Sequence, residues 1–271
     1  MQDRPDKRAF FSRLNAQQYE QKLVPVIFRP WAERLLRQLE ASEGSRLLDL
    51  ACGTGILART LAEQRPDLEL YGLDLSEDML AVARKQSSTV HWLNGHALHL
   101  PWPDGFFQRI ACQQGLQFVP QRPAVLDEIH RVLQPGGQLV AACWQTVADN
   151  GAYAALLAWS RRHDFQGLAE FIEQIFSWPA ERLAPALEDA GFHPVAVQVE
   201  KMETRFPSVA YFLDVFSQVP PLQPDWQALT EPQQQALLAE LEQDCQPWCT
   251  ESGLCFPMSS SLIRATRPST Q

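Results

Sequence analysis

Two carboxylates and a glycine-punctuated turn carry the first chemical signal in this chain. Asp49 closes the apolar run Leu47-Leu48-Asp49-Leu50, and the turn Ala51-Cys52-Gly53-Thr54-Gly55 follows it directly. Asp74 ends a second apolar run, Leu68-Glu69-Leu70-Tyr71-Gly72-Leu73-Asp74, 25 positions after Asp49. Glycine lets a backbone come close to a ligand and take φ > 0. An acid about 20 residues beyond such a turn can accept hydrogen bonds from both ribose hydroxyls. The arrangement describes a pocket for a nucleoside. A second polar cluster, Gln113-Gln114-Gly115-Leu116-Gln117, sets three amides at the end of another apolar segment, where ligands bind in doubly wound sheets.

Which elements must position these groups follows from the pattern of the chain. Strands and helices alternate from 46 to 145, with strands expected at 46–50, 69–74, 90–93, 108–113 and 137–144, so βαβ units and a parallel sheet are predicted. Residues 10–45 read as helical, with Pro25 and Pro30 breaking the segment into two pieces. Residues 146–178 and 180–190 also read as helical. Alternation at 195–201 and the segment Ser260–Thr266 supply two more strands, and a Pro-rich insertion, 206–257, holds one helix opened by the Thr230/Gln233 capping box. The fold class expected is α/β: a doubly wound, Rossmann-like, mostly parallel seven-stranded sheet with an antiparallel last strand and helical cap insertions. The organisation is an N-terminal helical lid segment (1–45), a nucleoside-binding core (46–145), a helical cap insertion (146–180), and the end of the sheet with its Pro-rich insertion (181–271). The aromatic side chains of 146–257 suggest an apolar roof that closes over a flat small molecule.

Composition narrows the function. The 271 residues carry a formal net charge of −9, and no Lys/Arg cluster exceeds two adjacent residues. That argues against a nucleic-acid backbone as partner, because neutralising phosphates needs a basic face. The six cysteines form no CxxC pair and have no His at zinc-ligand spacing, so reduced thiols, no metal and a cytoplasmic location are expected. No apolar run approaches the ~20 residues needed to span a bilayer.

Gly53-Thr54-Gly55-Ile56-Leu57-Ala58 also satisfies the GxGxxG/A pattern of a nicotinamide dinucleotide site, which alone is a weak signal. Asp49 tips the balance, because a carboxylate beside the turn repels a pyrophosphate and attracts a sulfonium or ammonium. Residues 46–144 then resemble a class I S-adenosylmethionine-dependent methyltransferase, nearest the ubiquinone/menaquinone C-methyltransferase-like group (methyltransferase type 11). The matching pieces are Leu48–Gly55, Gly72-Leu73-Asp74-Leu75-Ser76-Glu77-Asp78-Met79-Leu80, Gly95-His96-Ala97 with Leu100-Pro101-Trp102-Pro103-Asp104, and Arg131-Val132-Leu133-Gln134-Pro135-Gly136-Gly137. The resemblance implies that Asp49, Ala51, Cys52, Gly53 and Gly55 meet the methionine part of S-adenosylmethionine. It further implies that Asp74 holds the ribose, Leu75 and Met79 flank the adenine, His96 and Ala97 meet the adenine edge, and Gln113 lies beneath the sulfonium. Ala51 stands where a glycine is common, and His96 where an Asp is common.

Methyl transfer from a sulfonium is an in-line displacement, so the protein chiefly aligns the acceptor and excludes water. Gln114 and Gln117 are the expected acceptor-side residues, and Tyr19 is retained as a base candidate ahead of His96, His99, His163 and Tyr153. The expected activity is methylation of an apolar or aromatic small metabolite, with S-adenosylhomocysteine as product and a homodimer as one assembly left open. A C-methyltransferase on a prenyl or quinone-type substrate and a catalytically silent S-adenosylmethionine-binding partner protein are the alternatives.

Overall fold

A computed structural model describes residues 15–269; the helical reading of 10–14 lies outside the described residues. Eight strands form one sheet: β1 Arg46–Leu50, β2 Glu69–Asp74, β3 His91–Asn94, β4 Phe107–Gln113, β5 Leu133–Trp144, β6 Val195–Phe206, β7 Cys249–Thr250 and β8 Gly253–Thr266. Seven run in the order β3-β2-β1-β4-β5-β8-β6, and the two-residue β7 pairs with β8. Strands β1 to β5 pair in parallel, while β8 is antiparallel to both β5 and β6, so the expected antiparallel last strand is present.

Side-chain alternation divides the core. Leu48, Leu50, Ile110, Leu139 and Ala141 face one layer, where α5 (Arg122–Val132) and α8 (Ala180–Asp189) bury Leu126, Ile129, Leu183 and Leu187. Leu47, Leu70, Ala111, Val140 and Ala142 face the other, against α2 (Arg29–Leu36) and α3 (Ile56–Gln64). Neighbouring residues on one strand point to opposite faces, which is why each central strand reads as continuously apolar.

Three elements differ from the sequence reading. Pro25 and Pro30 do not break the N-terminal helix. The short α1 (Ala16–Gln18) leads into π-helical turns over Tyr19–Phe28, then into α2, and the Arg29 N–H bonds the Val24 carbonyl five residues back. The wider π winding accommodates Pro25, whose ring would clash inside an α-helix, and π turns within helices are frequent at functional sites. The β6–β8 hairpin is much longer than expected, twelve rungs from Val195↔Ala265 to Phe206↔Leu254. Its far half projects past the end of β5, whose Trp144 pairs with Ser260.

The stretch between those two strands carries three helices rather than one: α9 (Val209–Ser217), α10 (Gln223–Gln227) and α11 (Glu231–Asp244), the last opened by the expected capping box. With α6 (Gly151–Arg162) and α7 (Gln166–Ile175), α9 and α11 build a separate apolar cluster that also takes in Ile27, Trp31 and Trp144. Among the described residues no helix is long and apolar enough to cross a membrane.

Candidate active site

The turn after β1 is held from three sides. Ala51 and Gly53 take φ of +56°, and Gly55 takes +81° as the residue before α3. The left-handed region costs an alanine about 1–2 kcal/mol, so Ala51 occupies a position that glycine would fill without strain. A Cβ on Gly55 would lie 2.3 Å from the Trp92 ring, and one on Gly72 would lie 2.4 Å from the same ring. The indole of β3 is therefore wedged against both glycines, with its N–H anchored on the Ser87 carbonyl at 3.0 Å. Gly55 serves that close approach.

Asp74 completes the turn. Its Oδ2 accepts the Gly53 N–H and its Oδ1 the Ser76 N–H, both at 2.8 Å. Burial raises its carboxyl above the ordinary carboxylate range, opposed by backbone bonds from Ser76, Gly53 and Leu75. Asp49 is 2% exposed and accepts the Ala58 N–H at 3.1 Å, which caps the third position of α3 from the end of β1. Burial pushes Asp49 up to about 7; the Ala58 bond and the Arg59 charge pull the other way, and Asp74 adds to the rise.

A cavity of about 240 Å³ opens beside the turn, at the carboxyl ends of the parallel strands. Of the residues singled out in the sequence, its wall includes Tyr19, Ala51, Gly53, Asp74, Leu75, Met79, His96, Ala97, Gln113, Gln114 and Gln117. Asp49, Cys52 and Gly55 lie behind that wall. Asp49 is turned onto α3, Cys52 is buried with its thiol pushed well up by burial, and Gly55 faces Trp92. Of the residues expected to meet the methionine part, these three support the turn from behind, while Ala51 and Gly53 line the cavity.

His96 Nδ1 accepts the Leu98 N–H at 3.1 Å, which places the ring proton on Nε2. The imidazole so held can donate to a ring nitrogen but cannot accept from an amino group through Nε2. Tyr19 stacks on Phe28 with ring centroids 4.9 Å apart and lies over Gly53. Burial, then the charges of Asp74, Glu20 and Asp49, raise its phenol well above 10, so it keeps its proton at neutral pH and is a donor rather than a base. Neighbouring Glu20 pairs with Arg59 of α3 through both oxygens, at 2.8 and 3.0 Å, and fastens the π-helix over the turn.

The three glutamines differ in what their neighbours leave them. Gln113 Nε2 donates to the Phe28 carbonyl at 2.7 Å, and its Oε1 has no protein partner. Gln114, forced to φ +46° where Gly115 packs against Ala51, donates through Nε2 to Ser260 Oγ at 3.2 Å and leaves Oε1 unpaired. Gln117 is 1% exposed, and both its amide atoms are without a protein partner. Above them stand Leu23, Ile27, Trp144, Tyr153, Phe216 and Val219, drawn from the π-helix, β5, α6 and the segment around α9. Among the described residues, no Lys or Arg lines the cavity.

Sequence reading missed Ser260, although the run Ser259-Ser260-Ser261 in a buried strand was a visible anomaly, and it missed the Glu20–Arg59 tie. His163, a base candidate, bonds Glu240 of α11 at 2.9 Å and is not on the cavity wall. No group of three or more His, Cys, Asp or Glu that could hold a metal ion occurs among the described residues.

Residues 48–141 match the methyltransferase domain family. The demethylmenaquinone methyltransferase of Geobacillus kaustophilus is 37% identical over 145 residues, which cover 50% of this chain and 61% of that enzyme. The match to the corresponding enzyme of Geobacillus stearothermophilus spans about half of its length (51%) at 36% identity. Among solved structures, Haemonchus contortus phosphoethanolamine N-methyltransferase 2, bound to phosphomonomethylethanolamine and S-adenosylhomocysteine, aligns with a TM-score of 0.62 at 17% identity, over 99% of this chain and 62% of that one. A Bacillus halodurans chain described as a methyltransferase gives 0.59 at 19% identity, over 88% and 99%. Residues 48–141 are thus similar to the methyltransferase domain family, the strand order is shared with the solved structures, and the chain spans about half to three fifths of the length of the curated relatives it matches.

Proposed function

We propose that this chain is an S-adenosylmethionine-dependent methyltransferase that transfers a methyl group in line to an apolar or aromatic small molecule. The observation that carries this reading is the two-ended cavity. One end has Asp74, the Gly53 turn and His96, while the other has unpaired buried amides under an aromatic roof. The residues present fit the cofactor. Each Asp74 oxygen accepts one backbone N–H and keeps a lone pair for a ribose hydroxyl, and Gly53 has only Tyr19 within 4 Å of a would-be Cβ. Leu75 and Met79 supply apolar faces for a purine, and the unpaired Gln113 Oε1 offers a partial negative charge to a cation.

Bound there, S-adenosylmethionine would supply an electrophilic methyl carbon. The chain's own contribution is alignment and exclusion of water. Gln114 and Gln117 orient the acceptor, and Tyr19 closes the donor end with its hydroxyl protonated. Such a site needs no general base unless the acceptor must first lose a proton.

A C-methyltransferase on a prenyl or quinone-type ring is the second reading, favoured by the demethylmenaquinone methyltransferase relatives and compatible with the apolar roof. A catalytically silent S-adenosylmethionine-binding partner protein is the remaining alternative, and turnover separates it from an enzyme. Thermal shift with S-adenosylhomocysteine, NAD and NADP tests the cofactor. Stabilisation by the first alone is expected, and stabilisation by a dinucleotide alone overturns the proposal. A donor-consumption screen over small aromatic acceptors then tests turnover.

A further inference from the structure

β6 is the last strand of the sheet, and among the described residues it pairs with β8 alone. The rungs fix where its other backbone groups point. Thr266 N–H donates to the Pro194 carbonyl at 3.1 Å, while Gln145 N–H, from the β5 side, donates to the Ser259 carbonyl at 3.0 Å. Even-numbered residues of β8 therefore bond β6, and in the register Val195↔Ala265 they meet even-numbered residues of β6. The odd-numbered residues from Val195 to Arg205 turn their N–H and C=O groups to the open edge.

Native sheet edges are commonly short, bulged or charged, which keeps them from pairing with another chain. This edge runs for twelve residues without a register shift, and Val195-Ala196-Val197-Gln198-Val199 carries no charge. Val197 and Val199 are 43% and 55% exposed, two of the four large apolar side chains left exposed among the described residues. On the opposite face, Gln38 and Arg34 hold Gln198 and Glu200 at 3.2 and 2.8 Å.

We propose that β6 is the seam of a homodimer: two copies of this chain pair along it, antiparallel about a two-fold axis at Gln198, and their sheets run on as one. Face alternation selects that centre. A two-fold axis normal to the sheet keeps every side chain on its own face, so each residue meets one from the same face of the other copy. With the axis at Gln198, Val197 of each copy stands opposite Val199 of the other, and both exposed valines are covered. Two residues further out, Lys201 of each copy stands opposite Val195 of the other. Charge favours this arrangement. α8 ends at Asp189, six residues before Val195, with Glu188 and Asp189 exposed and no basic residue in its last turn. Those carboxylates sit at the negative end of the helix dipole, where a cation is stabilising. A chain of net charge −9 repels its copy elsewhere, whereas Glu200, Lys201, Glu203 and Arg205 sum to zero along this edge.

Sedimentation of the full chain over a range of concentrations tests the seam. The wild type should reach twice the chain mass as concentration rises. In Val199→Pro the dissociation constant should rise about tenfold or more, because proline removes an edge donor. That N–H bonds nothing within the monomer, so the melting temperature should be nearly unchanged. If Val199→Pro does not fold, the double variant Val197→Lys/Val199→Lys, at two exposed positions, decides in its place. Cross-linking reads the register. Gln198→Cys, in a Cys249→Ser background that removes the exposed native thiol, should link two copies when oxidised with diamide. Its two thiols would face each other at a non-hydrogen-bonded rung, with Cα atoms about 4.5 Å apart. Lys201→Cys in the same background should not link, because its two copies lie about 20 Å apart along the strands. A wild type that stays a monomer throughout, a dimer that survives both edge variants, or a link at 201 in place of 198 overturns the proposal.

Discussion

Replacing Asp49 by Asn isolates the cost of burying a carboxyl behind the turn. Burial holds it at about 7, against 3.8 for an ordinary Asp. Between those values the folded state binds a proton that the unfolded chain has released. The stability attached to this group is therefore complete below pH 3.8 and declines as pH rises, levelling off above about 7. Each unit of that window is worth about 1.4 kcal/mol, so the two units between pH 5 and 7 amount to roughly 2–3 kcal/mol. Asn carries no such dependence and retains an oxygen to accept the Ala58 N–H. Urea denaturation at pH 5 and pH 8 should find Asp49→Asn gaining about 2–3 kcal/mol on the wild type across that interval. A stability difference that is the same at both values would refute the reasoning, since it would mean that Asp49 is ionised in the folded protein throughout. The substitution should also weaken S-adenosylmethionine binding most at pH 8, where the wild-type carboxylate can attract a cation.

Asp74→Ala should weaken S-adenosylhomocysteine binding by roughly 2–3 kcal/mol, read by calorimetry, through loss of charge-assisted bonds to two hydroxyls. Because Asp74 also accepts the Gly53 and Ser76 N–H groups, the same change should lower folding stability, and an unchanged melting temperature would contradict that account. Gly53→Ala meets only Tyr19 at 3.9 Å and should cost about 1–2 kcal/mol from its left-handed φ, whereas Gly55→Ala collides with Trp92 and should cost about 1–3 kcal/mol more in chemical denaturation. Hydrogen exchange should show ligand-induced slowing concentrated in Tyr19–Phe28, with α9 and α11 already protected by their shared cluster; the reverse distribution would make the roof the moving part.

The sheet and its cofactor edge were legible because each central strand is an apolar run ended by Asp49, Asp74 or Gln113, and topology rules leave few ways to order them. The roof was less so. In Val209–Ser217 only Ala210 and Asp214 mark the exposed side of α9, and one charge in nine residues is a faint signal for a helix. Pro25 reads as a break because prolines usually are one, and no local rule announces π winding. Strand β5 starts four residues before the expected 137, since Leu133 already pairs with Phe107 ahead of a register shift at Pro135-Gly136-Gly137. The orientation of Gln114 depends on Ser260, 146 residues away along the chain, and no sequence spacing encodes that meeting.

The long β6–β8 ladder has a consequence for how this molecule can be varied. Residues 207–253 leave and rejoin the sheet at adjacent positions, Phe206 and Leu254, which face each other across one rung. They carry Val215, Phe216 and Val219 of the roof and no part of the turn that bears Gly53 and Asp74. This stretch is thus a cassette, exchangeable for another of different length at little entropic penalty, because the cost of closing a loop grows only slowly with its size. The part of the roof that this stretch supplies and the turn that bears Gly53 and Asp74 thus lie on separate stretches of chain, on either side of the glutamines of 113–117.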